Sequence, residues 1–270
     1  MNFTKMKRMA SNHVSAFLSV VVLIALLALS GCSCSPAQES TPPAYESPYD
    51  WSKVTKENGR FSYTKDWAPA SLTGIDVSEH QKIISWQAVA ADGIDFAIIR
   101  VGNRGYTEGE TRLDKYLYEN IDGAKKAGLK IGVYFFSQAI NEDEAIEEAQ
   151  LITRALEGIR LDYPVFYDYE HIDDFDGRAN KISNEQLTKN TVAFCQQVEK
   201  DGYTAMIYGN KKIMERVDKE VRDRYGVWLA EYGVERPTAQ FDFLIWQYTS
   251  TGKVNGIETD VDLNIHFLYH

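Results

Sequence analysis

Four acidic residues stand where short β-rich runs end. Asp76 lies in Gly74-Ile75-Asp76-Val77-Ser78, Asp168 and Glu170 in Val165-Phe166-Tyr167-Asp168-Tyr169-Glu170, and Asp262 in Asp260-Val261-Asp262-Leu263-Asn264. Strand side chains alternate, so Asp168 and Glu170 project from one face, about 6–7 Å apart along the strand. Two carboxylates that close repel as anions, and burial raises the pKa of one of them further. A protonated and an ionised carboxyl side by side are what glycosidic bond cleavage requires: an acid for the leaving oxygen and an anion facing the developing oxocarbenium charge. A D-x-E triplet taken alone is more often a solvated acidic edge or a metal-binding pair.

Other chemistries find less support. His171 follows Glu170 and precedes Asp173, Asp174 and Asp176, but this segment lacks the spacing and terminal Glu of an EF-hand loop. It reads as a solvated acidic loop, and neither a metal nor a cofactor is expected. His80 has no partner at metal-ligand spacing, and no G-x-S-x-G nucleophile elbow occurs. Cys195, in Thr191-Val192-Ala193-Phe194-Cys195, reads as a small core residue of a helix. The acidic stretch Glu142, Asp143, Glu144, Glu147 and Glu148 reads as an exposed helix face, its charge favoured near the helix N-terminus.

The elements that must position the acids alternate from residue 74 onward. β-rich runs fall at 74–77, 95–101, 131–136, 164–170, 204–208, 227–230, 243–248 and 260–263, with helical patterns at 82–91, 112–127, 142–157, 184–201 and 210–222. Alternation at this spacing predicts parallel βαβ units, and eight strands predict a closed barrel with its chemistry at the C-terminal rim. The last two gaps contain Gly233, Pro237, Gly252 and Gly256 without helical periodicity. The expected fold is α/β, a TIM-like barrel of reduced form with five βα units followed by three further strands. Aromatic residues near strand ends, Tyr134, Tyr208, Trp228 and Trp246, are candidate platforms for sugar rings, whose C–H faces stack on aromatic faces.

The N-terminus reads as an address. Lys5, Lys7 and Arg8 precede an apolar run at 17–29 that is short for a membrane span but has the length of a signal-peptide core. The run ends Leu29-Ser30-Gly31-Cys32, which resembles the lipobox of bacterial lipoproteins. Residues 1–31 are thus expected to be a signal peptide, with Cys32 the lipidation site. Residues 32–50, rich in Ser, Pro, Glu and Thr, are expected to be a disordered tether. Residues 51–71 regain aromatics around Asn58-Gly59, a hairpin signal, as an extension that could pack on the barrel. Residues 72–270 form the catalytic domain. The whole chain has 29 basic and 39 acidic side chains, a net charge of −10. Losing three basic residues with the signal leaves 26 against 39, or −13. That charge argues against a nucleic-acid partner.

The set of motifs resembles glycoside hydrolase family 25, the muramidase-type lysozymes. It comprises Gly74-Ile75-Asp76-Val77-Ser78 with Gln81 and Trp86, the Phe96–Arg100 strand, Gly132-Val133-Tyr134, Asp168-x-Glu170, Trp228-Leu229-Ala230, Trp246-Gln247-Tyr248 and Val261-Asp262-Leu263-Asn264. The family's barrel of five βα units and three further strands agrees with the count above. The resemblance implies cleavage of the β-1,4 bond between N-acetylmuramic acid and N-acetylglucosamine, with Glu170 as proton donor. It implies that Asp168 stabilises charge or orients the N-acetyl group, and that Asp76 and Asp262 complete an acidic floor. One departure is Lys82, where the family often has glycine. The implied partners are peptidoglycan strands and, through the N-terminal lipid, a membrane of the cell envelope, inner or outer; a monomer is expected. Two further readings stand beside this one: a non-catalytic wall-binding lipoprotein using the same cleft, and a metal-dependent barrel hydrolase.

Overall fold

The computed structural model describes residues 44–268. The signal segment, Cys32 and the tether as far as residue 43 lie outside the described residues. The chain first forms β1 (Val54–Glu57), β2 (Arg60–Lys65) and β3 (Ala68–Pro69), paired antiparallel in that order. Asn58 and Gly59 both take positive φ at the β1–β2 turn, a backbone those two residue types tolerate best.

Eight strands then close a barrel: β4 (Ser71–Val77), β5 (Phe96–Arg104), β7 (Lys130–Ser137), β8 (Val165–Tyr169), β9 (Ala205–Asn210), β10 (Val227–Ala230), β11 (Ile245–Gly252) and β12 (Val261–Phe267). A short β6 (Thr111–Leu113) folds back antiparallel on the end of β5. Neighbours from β4 through β11 run parallel, and β12 closes the ring antiparallel to both β11 and β4. Period-two alternation divides the apolar residues. Phe96, Ile98, Phe166, Met206, Trp228 and Ile245 fill the interior, while Ile75, Ile99, Val133 and Val165 face outward into the main core. Full burial of each such side chain contributes roughly 1.5–3 kcal/mol. Gly74 is required inside: a Cβ there would sit 2.2 Å from the Phe96 ring, which crosses beneath it.

Helices α1 (Trp86–Ala91), α2 (Leu117–Lys126), α3 (Glu142–Ala155) and α4 (Asn184–Lys200) follow β4, β5 with β6, β7 and β8. The helical pattern at 210–222 is two short helices, α5 (Lys211–Met214) and α6 (Lys219–Tyr225), because the chain turns at Met214–Val217. The pattern at 112–127 starts late for a similar reason, since Thr111–Leu113 are claimed by the β5 edge. Cys195 is buried within α4.

Beyond β10 the strands are joined by loops, and among the described residues no helix covers the outer face of β11 and β12. The N-terminal segment supplies the cover. Phe61 and Trp51 pack on Trp246, Phe61 also on Tyr248, and Tyr49 stacks on Phe267 with ring centroids 4.1 Å apart. The Tyr49 hydroxyl donates to the Phe243 carbonyl, and Arg60 pairs with Asp92 at the foot of α1. The expected tether is therefore shorter than composition suggests. Packing begins by Tyr45, whose hydroxyl donates to the Phe241 carbonyl at 3.0 Å, because residues 45–51 carry three aromatics that the bare strands can bury.

Lys82 follows a single 3₁₀ turn, Glu79–Gln81, closed by a reciprocal Ser78–Gln81 cap. It takes φ 58°, ψ −133°, a region that penalises any Cβ. This turn is why α1 starts at Trp86 rather than at residue 82. Lys82→Gly is expected to stabilise the fold by about 1 kcal/mol, read as a higher denaturant midpoint with unchanged slope. A lower midpoint would contradict the strain assigned here.

The acidic stretch of α3 is not uniformly exposed. Asp143 and Glu147 are, but Glu148 is fully buried. It accepts from Arg104 Nε at 2.7 Å and from Ser137 Oγ at 2.6 Å. Arg104, itself buried at the end of β5, also donates to the Gly109 carbonyl, the Glu144 carbonyl and Glu147. The solvent-face reading fails because an arginine 44 residues earlier in the chain supplies the counter-charge. Burial pushes the Glu148 carboxyl up to about 7.

Candidate active site

Strand register brings the four acids together at the C-terminal rim. Asp76 on β4 pairs directly with Asp262 on β12, which puts both side chains on one face as near neighbours. Asp168, near the end of β8, stands opposite Tyr208 on β9 and Phe136 on β7, and Glu170 follows just past the strand. Asp76 and Asp168 are buried, while Asp262 and Glu170 are partly open.

Hydrogen bonding fixes Asp76 most firmly. Its Oδ2 accepts from Gln247 Nε2 and from Asn264 Nδ2, both at 2.8 Å. Neither amide can turn round. Trp228 Nε1, a donor only, donates to Asn264 Oδ1 at 2.7 Å, and the Tyr208 and Tyr232 hydroxyls donate to Gln247 Oε1 at 2.8 and 2.6 Å. By contrast, Asp168 Oδ1 is buried with no hydrogen-bond partner among the described residues, and so is open to a proton or a ligand.

All four carboxyls are shifted upward. Burial is the main cause throughout; Asp262 adds to it at Asp76, and Glu170 and Asp76 add to it at Asp168, where Arg100 opposes. Glu170 is raised by burial against the nearby Tyr208 hydroxyl. Asp262 rises to about 6, again mainly through burial. The cluster therefore holds protons at a pH where isolated carboxyls are ionised, and offers an acid and an anion within one site.

A stability consequence follows with a definite sign. The folded pKa of Asp262 lies above its unfolded value, so its contribution is fully present below about pH 4 and is lost as pH rises through 6. Asp262→Asn is expected to raise stability at pH 7 by about 1–2 kcal/mol and to change little at pH 4, as calorimetry at both pH values would show. Equal effects at the two pH values would exclude the burial of the Asp262 charge as the cause.

The four aromatic candidates separate. Tyr134 is partly open among the acids, with Asp76, Asp168 and Asp262 all acting on its hydroxyl. Tyr208 lines a rim groove of about 520 Å³ together with Glu170, Asn210 and Tyr232. Trp228 is nearly fully buried beneath the acids, against Phe166 and Tyr208, and serves to orient Asn264 rather than as an open platform. Trp246 is not in the site. Adjacent residues on β11 face opposite ways, so Gln247 points to Asp76 and Trp246 points outward to Phe61. Trp246 Nε1 donates to the Glu231 carbonyl at 2.8 Å and pins the rim loop.

Two site residues escaped the sequence reading in their roles, Gln247 and Tyr232. A lone glutamine between two aromatics of a strand is the available signal for the first. For Tyr232 the signal is its parity with Trp228 and Ala230 just past β10. His171 meets Asp173 at 3.1 Å, and among the described residues no group of three or more His, Cys, Asp or Glu side chains is placed to hold a metal ion.

The sequence and the fold have counterparts in known proteins. The family described as glycosyl hydrolases family 25 matches residues 75–257. The autolytic lysozyme of Clostridium acetobutylicum is 29% identical over 194 residues, 72% of this chain and 55% of that protein. The uncharacterized protein YegX of Escherichia coli K12 is 31% identical over 207 residues, 73% of this chain and 71% of that one. Among solved structures, the modular autolysin LytC from Streptococcus pneumoniae, in complex with a synthetic peptidoglycan ligand, is similar in fold. Its TM-score is 0.65 at 23% identity, covering 78% of this chain and 51% of that one. The chain thus spans about half the length of the clostridial lysozyme and of LytC.

Proposed function

We propose, from the fact that the chain belongs to glycosyl hydrolase family 25, that it is a peptidoglycan hydrolase cleaving the β-1,4 bond between N-acetylmuramic acid and N-acetylglucosamine. The observation that carries the reading is the convergence of four upshifted carboxyls from three strands at one rim of the barrel. The names of the relatives, an autolytic lysozyme and an autolysin bound to a peptidoglycan ligand, support the substrate class.

In this reading Glu170, partly open and held above the ordinary carboxylate range, protonates the leaving glycosidic oxygen. Asp168, with one unpartnered oxygen, faces the sugar and either stabilises positive charge or orients the N-acetyl group. Asp76, whose Oδ2 accepts from two amide N–H groups, anchors the floor of the site, and Asp262 beside it supplies negative potential when ionised. Tyr134 and Tyr208 line the path of the glycan. Lipid attachment at Cys32 and residence at a membrane of the cell envelope belong to the same proposal, supported by the basic n-region, apolar run and lipobox of the sequence.

The test is release of muropeptides from purified peptidoglycan, with product masses determined. Fragments ending in a reducing N-acetylmuramic acid are expected. Fragments ending in reducing N-acetylglucosamine would replace this bond assignment with the other, and an absence of fragments would overturn the enzyme reading.

A further inference from the structure

The rim loop after β10 has two sides. Glu231 and Tyr232 line the groove that holds Glu170, while Gly233–Arg236 line a second cleft of about 880 Å³ between this loop and the β1–β2 hairpin. The hairpin lies N-terminal to the family match, which begins at residue 75. Trp51 is partly open in this cleft, with Phe61 and Tyr248 buried along its wall. The Trp51 indole N–H is already engaged with Ser47 Oγ at 3.0 Å, so what Trp51 contributes to the cleft is its ring.

Two observations give the cleft a polar preference. The Tyr248 hydroxyl is buried beside the Phe61 backbone and makes no hydrogen bond of good geometry among the described residues. A buried hydroxyl left unpaired is costly, and a ligand oxygen that reached it would recover that cost. The rim carries Lys56, whose ammonium lies 4.7 Å from the Phe61 ring centroid, and the exposed Arg236, against one acid, Glu235. Arg236 makes no ion pair among the described residues. In a chain of net charge −10, a cationic rim over an aromatic floor stands out from its surroundings.

We propose that this cleft is an accessory site for an acidic saccharide, the ring lying against Trp51 and its carboxylate held by Arg236 and Lys56. The aromatic faces meet sugar C–H groups, the Tyr248 hydroxyl meets a ring or substituent oxygen, and the planar guanidinium matches a carboxylate. The proposal rests on the peptidoglycan reading above: a glycan strand leaving the acidic groove over Tyr232 crosses one loop to reach the second cleft. The site holds the polymer and takes no part in bond cleavage.

The test is binding, measured on the full chain carrying Glu170→Gln, with N-acetylmuramic acid as probe and N-acetylglucosamine, which lacks the carboxylate, as its control. The Trp51 indole resonance is expected to shift with N-acetylmuramic acid and much less with N-acetylglucosamine at equal concentration. Arg236→Ala with Lys56→Ala is expected to weaken that binding about tenfold, and Tyr248→Phe, which keeps the ring and the fold, several-fold. Equal response to both sugars, or no effect of the three substitutions, would overturn the site. Because the readout is binding, inactivity of the wild-type enzyme on peptidoglycan would remove the hydrolase reading and leave this result separately legible.

Discussion

Replacing Glu170 with glutamine is expected to lower the rate of muropeptide release by about 10³-fold, within the range that a positioned general acid supplies. The argument is that of a proton on a group of nearly fixed shape. Glutamine keeps the size of the side chain and leaves untouched the backbone carbonyl that Gln138 Nε2 reaches at 3.0 Å, but it has no proton to give the leaving oxygen. Stability provides the control. The Glu170 pKa is raised in the folded state, so at neutral pH its ionisation opposes folding, and the amide is expected to melt no lower than the wild type. Loss of activity with an unchanged or higher melting temperature is therefore the signature of a lost acid. Wild-type rates in the variant would move the role of proton donor to another of the four carboxyls. A parallel loss of stability would instead make Glu170 structural.

The second large effect concerns stability. Arg104→Met is expected to cost about 3–5 kcal/mol near pH 8, because it removes the hydrogen bonds of a buried guanidinium and leaves Glu148 to take up a proton or stand unpaired where water is excluded. The cost has a predictable pH dependence. The wild-type Glu148 carboxyl titrates near 7 in the folded protein, so below that pH it is protonated with or without the arginine. The charge-dependent part of the penalty thus opens above pH 7 and shrinks toward pH 5.5, where only the lost hydrogen bonds to Gly109, Glu144 and Glu147 remain. Adding Glu148→Leu to Arg104→Met is expected to recover most of the loss, since an apolar pair of similar volume leaves no buried charge. Chemical denaturation of the wild type and the two variants at two pH values would decide. A double variant no more stable than the single would refute the account.

The Arg104 network also bears on the site. Glu144, which lies in it, holds Arg178 through both carboxylate oxygens at 2.6 and 2.8 Å, and Arg178 in turn donates to the Gln138 carbonyl. Gln138 is the residue that holds the Glu170 backbone. Loosening the network is thus expected to disturb the acid at a distance.

The sequence carried the barrel because its strands and helices have different periods, and because glycine and proline interrupt the helical pattern only after β10. Three of the four acids were legible for the same reason: parity and position at a strand's end put Asp76 and Asp168 on the inner face, with Glu170 just past its strand, whereas Asp262 reaches the same rim from the start of β12, because that strand runs antiparallel. What could not be read were properties set by partners far along the chain. Glu148 looks like any exposed helix glutamate until Arg104 arrives from β5. Trp246 looks like its neighbours in a rim motif until parity, with its start fixed by Ile245 inside, turns it outward. The tether appeared to end at residue 50 because composition counts residue types and takes no account of the bare outer face of β11 and β12, which receives Tyr45 and Tyr49.

The amides beneath Asp76 have a further meaning, which lies in their direction. Each donor in that assembly points toward the carboxylate: Trp228 to Asn264 to Asp76, and Tyr208 and Tyr232 to Gln247 to Asp76. An amide accepts at oxygen and donates at nitrogen without passing a proton between them, so the assembly is an insulator rather than a wire. No proton can pass between Asp76 and the barrel interior through these two amides. The groups that hold Asp76 in place thus leave its protonation to its neighbours at the rim.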